Sequence, residues 1–136
     1  MTGTFVEVVD AICSLNLPVE VVEFESLTPR EQIDAASQST ILVGAHGAGL
    51  SHAMFVQEGG AVVEILMRQH FDHGIDYHKA DFANLVRFYG TKYVYYDPIA
   101  IEPNDDGVDN LSAQLLIVDA QELAQVLYCL YHSVLR

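Results

Sequence analysis

Three glycines stand within six residues, between an apolar run at residues 40–43 and a helix-like run at residues 50–56. Glycine lets a ligand approach the backbone closely. The free N–H groups in the first turn of a helix attract an anion, and α/β folds bind ligands at the carboxyl ends of parallel strands. We therefore predict a phosphate-binding turn made by these residues: Gly44, Gly47, Ala48, Gly49 and Leu50.

Other glycine-rich motifs fit this stretch less well. A dinucleotide-binding fingerprint needs glycine or alanine where His52 stands, and no Gly-Lys-Ser or Gly-Lys-Thr follows to make a P-loop. The run from His46 to Gly49 is similar to an esterase oxyanion loop, but the chain has no Gly-x-Ser-x-Gly elbow. The alternative is a tight strand-to-helix turn that binds no ligand.

Two further residues near this turn have side chains suited to chemistry. His46 either hydrogen-bonds the bound ligand or acts as a general base, since histidine titrates near neutral pH. The alternative is a turn histidine bonded to backbone. Glu64 ends an apolar run at residues 61–66, where a lone carboxylate needs a partner. We expect it to accept the two hydroxyls of a ribose, with an ion pair to Arg68 as the alternative. His52 is expected to be structural.

A second polar cluster has a composition that could bind a metal. Residues 70–78 contain three histidines and two aspartates, but none of them forms a pair fixed at metal spacing on a predicted helix. We expect a polar loop over the ligand-binding cleft, with Arg68, His70 or Tyr77 in contact with the bound ligand, and no metal site. The two cysteines, Cys13 and Cys129, form no metal motif and no disulfide framework, so we expect small buried side chains.

Composition limits the possible partners. The 136 residues suit one domain, and the formal charge is −13 with six lysines plus arginines. That charge excludes nucleic acid and anionic membrane surfaces, which need a basic protein surface. No apolar stretch is long enough to span a membrane, and residues 1–4 do not begin a signal peptide, so the chain as written is expected to be cytoplasmic.

Hydrophobic periodicity predicts alternating strands and helices. Helices are expected over residues 5–15, 29–37, 50–56, 76–89 and from 119 onward, with a capping box formed by Thr28 and Glu31. Strands are expected over residues 19–24, 40–43, 61–66 and 93–96, and residues 97–110 read as an acidic surface loop. This alternation predicts an α/β fold, a single Rossmann-like domain over residues 1–136 whose parallel sheet has helices on both faces.

Residues 43–52, together with the run Gly60-Ala61-Val62-Val63-Glu64-Ile65, resemble the signature of the family 61 glycosyltransferases. Residues 77–96 are similar to the segment that follows in that family, and the resemblance covers roughly residues 20–100. It implies one half of a GT-B fold, the half that binds a nucleotide sugar. It also implies inverting transfer from a UDP-sugar to a glycan or protein acceptor, with no cofactor and no protein-bound metal.

The chain is short for a complete enzyme of that kind, so an N-terminal acceptor-binding domain is expected to be missing. The family works in the lumen of the Golgi or endoplasmic reticulum behind an N-terminal anchor, which this sequence lacks. The alternative function is a non-catalytic Rossmann-like module that binds a nucleotide or a protein.

Overall fold

A computed structural model describes residues 2–3, 5–66, 78–97, 100–102 and 115–134. Two 3₁₀ helices, Phe24–Ser26 and Ala48–Phe55, accompany the regular elements. In chain order those elements are β1 Thr2–Gly3, α1 Phe5–Cys13, α2 Pro29–Gln38, β2 Ile41–Ala45, β3 Ala61–Ile65, α3 His78–Arg87, β4 Lys92–Tyr96, β5 Ala100–Glu102, β6 Leu115–Asp119 and α4 Ala120–Val134.

The central sheet is parallel and has the strand order β2-β3-β4. Its register aligns Gly44 with Glu64 and Glu64 with Tyr95. Consecutive residues Val62 and Val63 of the middle strand are both fully buried, because this strand is covered on its two faces. All three strands run in the same direction, so their carboxyl ends meet at one edge of the sheet.

Helices cover both faces of this sheet, as the sequence predicts. On one face, the 3₁₀ helix Ala48–Phe55 and α3 pack against β3, with Leu50, Val62 and Val86 in the core. On the other face, α1 and α4 pack through Val63, Leu123 and further apolar side chains. The structure thus confirms an α/β, Rossmann-like arrangement.

The strand predicted over residues 19–24 is wrong. These residues join no ladder, and the chain turns into the 3₁₀ helix Phe24–Ser26. The Gln32 side-chain amide donates to the Phe24 carbonyl at 2.7 Å, so a side chain of α2 takes an acceptor that a strand would use. Val19 and Val21 are 40% and 52% exposed, although their β-branched side chains favour strands. The parallel sheet therefore has three strands among the described residues.

A small antiparallel sheet, of order β1-β6-β5, lies beside the parallel one and was not predicted. Ala100 pairs with Ile117, so residues 100–102 form an edge strand although the sequence places them in the acidic loop. The apolar run of β6 provides the pairing partner that sequence reasoning overlooked. Residues 98–99 and 103–110 of that predicted loop lie outside the described residues.

The capping box predicted for Thr28 and Glu31 is confirmed, and a second side-chain cap begins α4. At α2, the Thr28 N–H donates to Glu31 Oε2 at 2.8 Å and the Glu31 N–H donates to Thr28 Oγ1 at 3.4 Å. Hydrogen bonds from the Thr28 side chain and backbone lower the pKa of Glu31. At α4, Asp119 Oδ1 accepts from the Glu122 N–H at 3.0 Å, which lowers the pKa of Asp119.

The expectation that the two cysteines are buried is wrong. Cys13 and Cys129 are exposed rather than buried, because they lie on the outward faces of α1 and α4. Within the described ranges, no three His, Cys, Asp or Glu side chains converge on a point that would hold a metal. Residues 70–77 lie outside those ranges, and no helix in the described parts is long and apolar enough to cross a bilayer.

Gly60→Ala is expected to lower the free energy of unfolding by about 2–3 kcal/mol or more, because a Cβ atom there overpacks the interior. That atom would lie 2.7 Å from the Thr40 carbonyl oxygen and 2.8 Å from that of Gln57. Gly59→Ala is the matched control: its φ is +80° but nothing lies within 4 Å, so only the left-handed strain of about 1 kcal/mol remains. Urea denaturation measures both, and equal losses would contradict this packing.

Tyr96→Phe is expected to reduce the amount by which the free energy of unfolding falls at high pH. Burial, aided by a hydrogen bond from its hydroxyl to Glu122 Oε2 at 2.8 Å, raises the pKa of Tyr96 from 10.0 to about 12. Between these values the unfolded chain loses the proton first, so stability falls as the pH rises from 10 to 12, by up to about 2–3 kcal/mol. Denaturant titrations at several pH values give the free energy of unfolding, which should fall less with pH in Tyr96→Phe than in Tyr95→Phe over this window. An identical dependence on pH in the two variants would remove Tyr96 as the cause.

Candidate functional site

The glycine turn lies at the carboxyl edge of the parallel sheet. It follows β2, and the His46 N–H donates to the Ile65 carbonyl at 2.9 Å. The Leu66 N–H likewise donates to the Tyr96 carbonyl at 3.0 Å, so the hydrogen bonding of the sheet continues one residue past the strands. These bonds fix the start of the turn against β3, at the place where open α/β sheets bind ligands.

The 3₁₀ helix Ala48–Phe55 begins with backbone N–H groups that have no acceptor within the helix. The Leu50 N–H donates to the Gly47 carbonyl at 3.0 Å, which is the first hydrogen bond of the helix. The N–H groups of Ala48 and Gly49 precede it and have no acceptor within the helix, and both residues are exposed. The structure thus forms the strand, glycine turn and helix start that the sequence predicts; their role as a phosphate site stays a prediction.

A buried carboxylate lies beside this turn. Glu64 is 0% exposed, and its Oε1 contacts Nδ1 of His46 while its Oε2 accepts a hydrogen bond from the Tyr93 hydroxyl. His46 keeps 18% of its side chain exposed, and its ring packs edge-on against Phe82 at a centroid distance of 5.4 Å. The contacts of Glu64 with His46 and Tyr93 therefore link the turn after β2 to the strands β3 and β4.

Sequence reasoning brought His46 and Glu64 to the same edge but missed their contact. It assigned His46 to the ligand or to backbone, and Glu64 to a ribose or to Arg68, which lies outside the described residues. It did not identify Tyr93 as a partner of Glu64. The missing signal was register: Val62 aligns with Tyr93, and side chains two residues apart on a strand share a face, so Glu64 and Tyr93 are diagonal neighbours.

Because Gly44 has no side chain, Leu50 can pack closely against the sheet at this position. It aligns with Glu64 in the ladder, and a Cβ atom at this position would lie 3.2 Å from Cδ2 of Leu50. A larger side chain would press on the buried start of the 3₁₀ helix. Gly44 is therefore placed to let that helix pack closely on the sheet, which is a structural role beside the binding role that the sequence suggests.

His52 anchors the 3₁₀ helix to the preceding segment. Its Nδ1 lies 3.0 Å from the Gly49 carbonyl oxygen, and its Nε2 lies 3.0 Å from Oε1 of Gln32. The Gln32 amide nitrogen donates to the carbonyls of Phe24 and Leu27, so the amide oxygen faces the histidine. The Phe24 ring stacks on His52 at 4.5 Å. These contacts agree with the structural role expected for His52.

The segment that contains the glycine turn has no cationic lysine or arginine side chain of its own. Residues 31–66 contain no lysine and no arginine, and the chain carries a formal charge of −13. An anion at the turn would be held by N–H groups and by the dipole of the helix start. A shallow hollow of about 170 Å³ beside Thr40 and Gly60 lies at the opposite, amino edge of the sheet, so we do not associate it with this chemistry.

Comparison with known proteins gives two matches. The family described as Glycosyltransferase 61 matches residues 4–63, which include the glycine turn and most of β3. A β-1,2-xylosyltransferase of Arabidopsis thaliana is 30% identical to the chain over 81 residues. That alignment covers 53% of this chain and 15% of the relative, so the chain corresponds to a small part of the xylosyltransferase.

The family match covers both stretches on which the resemblance to family 61 depends, residues 43–52 and the apolar strand up to Val63. The relative is named a xylosyltransferase, which is a kind of glycosyltransferase. On this evidence residues 4–63 are similar to the glycosyltransferase 61 family.

Proposed function

We propose that this chain binds the nucleotide sugar in an inverting glycosyltransferase, with the glycine turn holding the diphosphate of a UDP-sugar. The observation that carries the proposal is a helix start at the carboxyl edge of the sheet, formed by two exposed residues, Ala48 and Gly49, whose N–H groups have no acceptor within the helix. Ala48 follows His46, which contacts Glu64, by two residues, and the whole turn lies in the segment that matches the glycosyltransferase 61 family.

The N–H groups have a catalytic task as well as a binding one. As the bond between the anomeric carbon and the diphosphate breaks, negative charge grows on the departing phosphate oxygen. Preorganised N–H donors aimed at such a charge stabilise the transition state more than the ground state. Residues 31–66 contain no lysine and no arginine, so within this segment the N–H groups and the dipole of the helix start supply the positive potential.

His46 is the proposed general base. In an inverting transfer, the acceptor hydroxyl forms its bond to the anomeric carbon while the diphosphate leaves from the opposite side, and the hydroxyl proton passes to a base. His46 follows β2 directly and immediately precedes Gly47, so it stands beside the proposed phosphate site. A histidine so placed would take the proton near neutral pH.

The name of the relative indicates which donor sugar to test first. Because the curated relative is named a β-1,2-xylosyltransferase, UDP-xylose is the first donor to test, with a glycan or glycoprotein as acceptor. A missing N-terminal domain that binds the acceptor remains part of the proposal.

UDP is expected to shift the amide resonances of Gly47, Ala48 and Gly49 in ¹⁵N-labelled protein at millimolar concentration. Direct hydrogen bonds from these N–H groups to phosphate oxygens change their electronic surroundings. Gly59 and Gly60, at the opposite edge of the sheet, serve as internal controls and should not move. If UDP leaves the turn unmoved while other amides shift, the binding site is elsewhere; if nothing shifts, the chain is not a UDP-binding module.

Ala48→Pro is expected to weaken UDP binding by roughly 10-fold to 100-fold, because it removes one N–H donor to a charged ligand. Proline suits the first helical position, and Gly47 before it has ψ 179°, the extended backbone that proline prefers in its neighbour. Ala48→Ser is the matched control, since it changes the exposed side chain but keeps the N–H. Calorimetry gives the affinities; equal affinities for the two variants would remove this donor from the site.

A further inference from the structure

We propose that Glu64 is a positioning residue, which holds His46 in the tautomer with the proton on Nδ1, and that Tyr93 is the third member of this unit. The inference rests on the proposed role of His46 as a base and gives it a mechanism. It replaces the expected contact between Glu64 and a ribose, which would need the carboxylate to reach the ligand.

The hydrogen bonding of Glu64 carries the first step. The carboxylate is fully buried, where an ionised group is stable only with hydrogen-bond donors on its oxygens. Each oxygen has one partner: Nδ1 of His46 at Oε1, and the Tyr93 hydroxyl at Oε2. Two donors on an acceptor-only carboxylate form a satisfied arrangement, and they leave Glu64 facing protein rather than solvent.

The fold places these three residues together through the sheet itself. Glu64 lies in β3 and Tyr93 in β4, while His46 is the first residue after β2, the strand on the other side of β3. Gly44 aligns with Glu64 and offers no side chain between it and His46, two residues along the same face. Strand register therefore fixes the geometry of the unit, and rigid strands are better supports for a catalytic group than loops are.

The consequence for His46 is chemical. A neutral imidazole carries one proton, and the nitrogen that donates to a carboxylate keeps it. With Nδ1–H directed at Glu64, Nε2 is the nitrogen that accepts the proton of the acceptor hydroxyl. The buried carboxylate also stabilises the imidazolium that forms once the proton has moved, as carboxylates do beside catalytic histidines in general.

The direct test is the tautomer of His46, read from long-range ¹H–¹⁵N spectra of the 136-residue chain without ligand. We expect the Nδ1–H form in the parent protein. In Glu64→Gln, the side-chain amide can donate to Nδ1, so we expect the Nε2–H form. A parent protein with the proton on Nε2 would overturn the proposal. Because no UDP is present, this outcome is independent of whether the glycine turn binds a diphosphate.

UDP affinity separates positioning from ribose binding. If Glu64 only positions His46, Glu64→Gln should bind UDP within about threefold of the parent. If Glu64 accepts ribose hydroxyls, loss of its charge should weaken binding about tenfold or more, and the positioning role is then wrong. Ala48→Pro, measured alongside, shows whether the assay detects loss of a true ligand contact.

Tyr93→Phe tests the third member. Removing the hydroxyl takes away one donor from a buried carboxylate, so we expect the Tm to fall by roughly 3–6 °C and the pH titration of the His46 ring to shift. Tyr95→Phe makes the same chemical change two residues away, on a side chain that is 48% exposed, and should move neither quantity. Equal behaviour of the two variants in the His46 titration would exclude Tyr93 from the unit.

Discussion

A carboxylate with no exposure to water needs donors on its oxygens, and the Glu64 side chain meets this requirement through two residues from neighbouring segments. Removing either donor would leave part of a buried charge unsatisfied. The requirement ties His46 and Tyr93 to the middle strand, and it ties the glycine turn to the sheet because the turn starts at His46. The fold and the candidate site therefore share one constraint.

Local patterns in the sequence predicted the parts of the molecule that depend on local physics. The capping box at Thr28, the strand-to-helix turn at the glycines and the apolar middle strand all follow from preferences of short segments. Helices on both faces follow from apolar runs that need cover on two sides. The glycine turn was also the segment that indicated the family, and the family match includes it.

The remainder required pairing information that no short segment carries. Residues 19–24 have the composition of a strand, but their place in a sheet depends on a partner, and the structure gives them none. Residues 100–102 have weak strand character yet pair with β6, which sequence reasoning had not identified. The link between Glu64 and Tyr93 has the same origin, since the diagonal contact follows from the register of β3 and β4, not from either segment alone.

We propose that a nucleotide diphosphate binds at the carboxyl edge of the parallel sheet, next to a histidine oriented by a buried glutamate. A crystal structure of the protein with UDP tests this claim most directly. The account predicts phosphate oxygens within hydrogen-bonding distance, about 2.7–3.2 Å, of the N–H groups of Ala48 and Gly49, with Glu64 still bonded to His46 and Tyr93. UDP bound at another edge of the sheet, or a ribose hydroxyl in contact with Glu64, would contradict it.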